Sequence, residues 1–87
     1  MLKVKDVTVV DSWVDFMANV TDEMLQNENI IKVHVKGSDE ILFMYIFEGE
    51  YCVDVLDVDT YLNTNCLSFT DFDELLEAVE VAYGELL

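Results

Sequence analysis

The sequence has no arginine and no proline. Without arginine it lacks the planar fork that grips a phosphate at two points, which argues against nucleotide chemistry. Without proline it has no stiff extended linker to divide it. Glycine occurs only at Gly37, Gly49 and Gly84, so no glycine-rich loop cradles a phosphate. The two cysteines, Cys52 and Cys66, show no C-x-x-C spacing and share the chain with one histidine, His34. A zinc site therefore lacks ligands, a disulfide framework is not indicated, and reduced thiols are expected. The longest strongly apolar run, Ile41 to Phe47, is too short to cross a bilayer. Met1 to Asp6 holds no apolar signal-peptide core. The expectation is one soluble, cytoplasmic domain over residues 1–87 with no metal, no cofactor and no membrane partner.

Basic residues are also scarce. Four lysines face 19 Asp and Glu, a formal charge of −15. All four (Lys3, Lys5, Lys32 and Lys36) and His34 precede Gly37; from Gly37 to Leu87 there are 13 carboxylates and no cation. A field of one sign steers oppositely charged partners and strains the compact state through self-repulsion. Disorder is not the outcome, because 53% of the residues are apolar and high charge produces disorder only alongside low hydrophobicity. A core this small buries about two-thirds of the surface its unfolded chain exposes. Some apolar residues therefore remain outside, and a homodimer is an open alternative.

The elements follow from periodicity. Leu2, Val4, Val7, Val9 and Val10 suggest an opening strand. Asp11 or Ser12 can cap a helix over 12–26, striped by Trp13, Phe16, Met17, Val20, Met24 and Leu25, with Trp13 in the core. Ile31, Val33 and Val35 alternate with Lys32, His34 and Lys36, a strand with one wet face. The apolar run Ile41–Phe47 reads as a central strand covered on both sides, and Glu48-Gly49-Glu50 as the hairpin to a third strand, Tyr51 to Val58. Ser68, with Asp71 three residues on and Leu67 opposite Phe72, reads as the start of a second helix lined by Phe72, Leu75, Leu76, Val79 and Tyr83. The predicted fold is α+β: a small antiparallel three-stranded meander plus an N-terminal strand, with two helices, in the order β-α-β-β-β-α.

Two acidic rows are candidates for partner binding. Asp71, Asp73, Glu74, Glu77 and Glu80 lie off the apolar stripe of the second helix. Among them Asp73, Glu77 and Glu80 are spaced so that their β-carbons stand about 5–6 Å apart, similar in scale to the phosphates of a nucleic acid strand. A second row is expected through Asp54, Asp57 and Asp59, extended by Glu48 and Glu50 at the preceding hairpin. The plain alternative for both is a solvated face, with Asp71 and Asp73 favouring the helix dipole. Asp57-Val58-Asp59 opens like a calcium loop, but Tyr61 and Leu62 occupy positions that need an oxygen ligand and a glycine, and Ser68 stands where the closing Glu belongs. His34, alone between two lysines, makes a poor general base, so no enzymatic activity is expected.

In composition the chain resembles the small acidic DNA mimics encoded by phages and other mobile elements, among them anti-restriction and anti-CRISPR proteins. That resemblance implies a stoichiometric inhibitor whose carboxylates occupy the nucleic-acid-binding surface of a basic protein, without binding nucleic acid itself. The competing reading is an interaction module of another kind, such as an immunity protein, antitoxin or regulatory subunit. It would bind through an open sheet face and exposed aromatics drawn from Tyr45, Tyr51 and Tyr61. Adaptation to concentrated salt fits less well, because abundant Ile, Leu, Phe and Met are retained.

Overall fold

The computed structural model describes residues 7–27 and 30–87. Its elements are β1 (Thr8–Val10), α1 (Trp13–Asn19), α2 (Asp22–Gln26), β2 (Ile31–Val35), β3 (Glu40–Phe47), β4 (Glu50–Asp57), β5 (Asn63–Phe69) and α3 (Phe72–Tyr83). They form an α+β fold around one five-stranded sheet in the order β1-β2-β3-β4-β5. β1 runs parallel to β2, joined by the helical crossover, and the remaining neighbours are antiparallel.

Strand alternation decides which side is covered. Val10, Val33, Val35, Leu42, Met44, Tyr51, Val53 and Val55 all join Phe16, Val20, Leu25, Leu75 and Val79 in one core. The helices thus share one face of the sheet. Lys32, His34, Phe43, Tyr45 and Asp54 occupy the other, as the register pairs Lys32 with Phe43 and Phe43 with Asp54. β3 is central, with Ile41, Leu42, Phe43 and Met44 buried, although Phe47 at its end is exposed. The β3–β4 hairpin has two connecting residues, Glu48 and Gly49, at φ 50° and 80°. Two positive φ values define the type I′ turn that matches strand twist.

Three expectations are corrected. The sheet has five strands, because Asn63–Phe69 adds β5 at an edge. Ser68 and Leu67 therefore belong to a strand, and the cap of α3 is Asp71, whose Oδ1 accepts from Glu74 N at 2.9 Å. The helix expected over 12–26 is two. Ser12 caps α1, Val20 leaves helical geometry at φ −129°, and Thr21 caps α2 by accepting from Met24 N at 3.2 Å. The break re-aims the chain so that Phe16, Val20 and Leu25 are all buried while Met17 and Met24 stay exposed. Trp13 is half-buried, its ring edge-on to Phe16 with centroids 5.3 Å apart. Leu2 and Val4 of the expected opening strand lie outside the described residues.

Candidate partner-binding surface

None of the three helices carries a lysine, whereas together they hold Asp15, Asp22, Glu23, Asp73, Glu74, Glu77 and Glu80. The helix layer is therefore anionic, and the described cations Lys32, His34 and Lys36 all sit on or beside β2. Lys32 holds its ammonium over the Phe43 ring, 5.8 Å from the centroid, and His34 Nε2 lies 2.7 Å from the Ser38 carbonyl. Both belong to the face away from the helices.

α3 assembles the first acidic row as expected. Asp71, Asp73, Glu74, Glu77 and Glu80 are all exposed, and among the described residues no ion pair engages any of them. Asp71 is committed to its cap, and Glu74 accepts a hydrogen bond from Thr70 Oγ1. Asp73, Glu77 and Glu80 make no side-chain hydrogen bond among the described residues and share one flank of the helix. Asp73 and Glu74 in the first turn suit the dipole, but Glu80 in the last turn faces the wrong end of it. No basic residue there offsets it.

The second row does not form. Residues three apart on a strand point to opposite faces, so Asp54 projects from the open face while Asp57 lies on the helix side, opposite Glu40. Asp54 is half-buried and already bonded: Tyr45 Oη donates to its two oxygens at 3.1 and 3.2 Å and Cys66 Sγ to Oδ1 at 3.1 Å. Burial and this carboxylate push the Tyr45 phenol up to about 12, and the Asp54 hydrogen bond raises the Cys66 thiol. Asp57 ends its strand and folds inward on the β4–β5 turn, where Oδ1 accepts from Thr60 N at 3.0 Å and Asp59 N at 2.9 Å. Those two amides hold its carboxyl below the usual range. Asp59 alone remains free in that turn, and Glu48 and Glu50 stand exposed at the β3–β4 hairpin. The turn also holds Tyr61 in the left-handed region at φ 58°, a conformation costly for an aromatic residue.

Two carboxylates that sequence reasoning passed over tie the helices to the sheet. Tyr51 Oη donates to Asp22 Oδ1 at 2.6 Å and receives Gln26 Nε2 at 2.8 Å, joining α2 to β4. Tyr83 Oη donates to Glu40 Oε1 at 2.7 Å, joining α3 to β3; burial first, then Glu40, raises this phenol above its ordinary range. No sequence spacing marks these pairs, because their partners lie 29 and 43 residues apart. Among the described residues no cluster of His, Cys, Asp and Glu could hold a metal ion, and no helix is long and apolar enough to cross a membrane.

Fold and surface together define a small α+β protein with an anionic helix layer. Comparison of the chain with protein-family models, curated proteins and solved structures gave no match.

Proposed function

We propose that the protein is a stoichiometric inhibitor that occupies the nucleic-acid-binding surface of a basic protein, using α3 as a surrogate for a phosphate backbone. The observation that carries this reading is the row Asp73, Glu77 and Glu80, without an ion-pair partner among the described residues and exposed from the first turn of α3 to the last. Stability alone does not favour it: Glu80 opposes the helix dipole, and like charges three and four apart on a helix repel. A row of carboxylates can pair with the Lys and Arg side chains with which nucleic-acid-binding proteins grip phosphates. Glu48, Glu50, Asp71 and Glu74 add to the field, while Asp54 and Asp57 serve the fold. Of the aromatics named for docking, Tyr51 is buried and Tyr45 is tied to Asp54, which leaves Tyr61, 44% exposed in the β4–β5 turn. The test is the affinity for a captured partner as salt is raised. Mimicry requires a steep fall, and loss of binding when Asp73, Glu77 and Glu80 become Asn, Gln and Gln; affinity indifferent to both overturns it.

A further inference from the structure

β5 differs from the rest of the chain. From Thr60 to Thr70 there is no charged residue, and β5 is a seven-residue edge strand, exposed along nearly its whole length. Edge strands are usually guarded by charge, proline or a covering element, because their free N–H and C=O groups recruit another strand. β5 has no charge and no proline, and among the described residues no backbone group bonds beyond it. Its first half guards itself in part: Asn63 Oδ1 accepts from Asn65 N at 3.0 Å and Asn65 Oδ1 from Cys66 N at 2.9 Å. From Leu67 to Phe69 no such side-chain bond competes.

Beside this second half the helix layer is incomplete. A groove of about 180 Å3 lies between α3 and β5, with Leu67, Phe69, Ala78, Val79 and Ala82 among its walls. It continues along the outer flank of α3 past Phe69, Ala78 and Val81, where Glu74 and Glu77 form the rim. Val81 is 84% exposed and Leu67 38%, so apolar surface is left open on both the helix and the strand.

We propose that the β5 edge and this groove receive an extended segment of the basic partner, which adds as a sixth strand beside Leu67–Phe69. Of its side chains on the helix-facing side, apolar ones enter the groove under α3 and a lysine or arginine two residues along reaches Glu74 and Glu77 at the rim. A strand added at the usual spacing of about 4.8 Å points every second side chain toward the helix layer, and main-chain pairing supplies affinity while the pockets supply specificity. Charge decides the occupant: a second copy brings another −15 and sets Glu74 and Glu77 against its own carboxylates, whereas a cationic segment neutralises them. The proposal rests on the inhibitor reading for the sign of the partner's charge.

The test titrates the isotope-labelled protein, followed by its amide resonances, with a short synthetic peptide whose odd positions are Val and Lys in turn and whose even positions are Thr, so that Val and Lys share one face. Its companion is the same peptide N-methylated at alternate backbone amides to block pairing. The expected result is a shift of the Leu67–Phe69, Ala78 and Val81 amides and slowed hydrogen exchange in β5. Affinity should fall roughly tenfold on N-methylation and severalfold for Glu74→Gln, with little change for Asp73→Asn plus Glu80→Gln. Equal binding of the methylated peptide, no binding, or concentration-dependent protection of β5 in the free protein overturns the added strand. Shifts confined to Asp73, Glu77 and Glu80 overturn it too, yet leave the acidic-row reading standing, which fails separately if a captured partner is indifferent to salt and to neutralisation of that row.

Discussion

Single side chains here divide into carboxylates that build the protein and carboxylates left facing water. Asp71 belongs to the first group. Its side chain satisfies an amide in the first turn of α3 that has no helical partner, so Asp71→Ala should lower stability by about 1 kcal/mol while Asp71→Ser restores most of it, as denaturant unfolding would measure. Tyr45 makes a pH prediction of definite sign. Its phenol is held protonated by burial and by Asp54, with its pKa raised from 10.0 to about 12, so this contribution is complete below pH 10 and is lost as pH rises from about 10 toward 12. Cys52 and Cys66, also raised, act in the same direction. Tyr45→Phe should therefore flatten the alkaline limb of a stability–pH curve without removing it. None of this division was legible in the sequence, where Asp54, Asp57 and Asp59 look like equivalent members of one acidic run. Only the strand's two-residue alternation and the turn after Asp57 separate them.

At the scale of elements, legibility followed burial. Ile31–Val35 and Ile41–Phe47 were readable because a buried face demands apolar residues at fixed spacing. β5 was not: an exposed edge makes no such demand, and its faint alternation of Asn65, Leu67 and Phe69 lay beneath the helix-start signal of Ser68. The division of the first helix had a usable sign in the five-residue step from Val20 to Leu25, which breaks helical period, and in Thr21 before Asp22 and Glu23. That is a capping residue followed by first-turn acids. α3 was legible as a helix and as an acidic row, and its charge pattern makes the next prediction. Replacing Asp73, Glu77 and Glu80 with Asn, Gln and Gln should leave the melting temperature unchanged or higher, since like-charge repulsion of a few tenths of a kcal/mol per pair is relieved. Partner binding should be lost in the same variant. A stable variant that binds normally would separate the row from function.

For the whole molecule, −15 on 87 residues means that self-repulsion opposes folding everywhere. Raising ionic strength from low salt to about 0.15 M, where the screening length is about 8 Å, should raise the melting temperature in a calorimetric scan. The same salt should weaken association with a basic partner, so stability and affinity are expected to move in opposite directions. That opposition follows from placing the described cations on or beside β2 and the open sheet face, away from the carboxylates of α3. The proposed mimicry puts the anionic helix layer in the place of nucleic acid. Its most direct test is a capture experiment from a nuclease-treated bacterial lysate with this protein as bait, in which the bound partner is challenged with increasing duplex DNA. A basic nucleic-acid-binding protein is expected to be retained and then released in proportion to the DNA added; a partner that stays on the bait while carrying bound DNA would contradict mimicry.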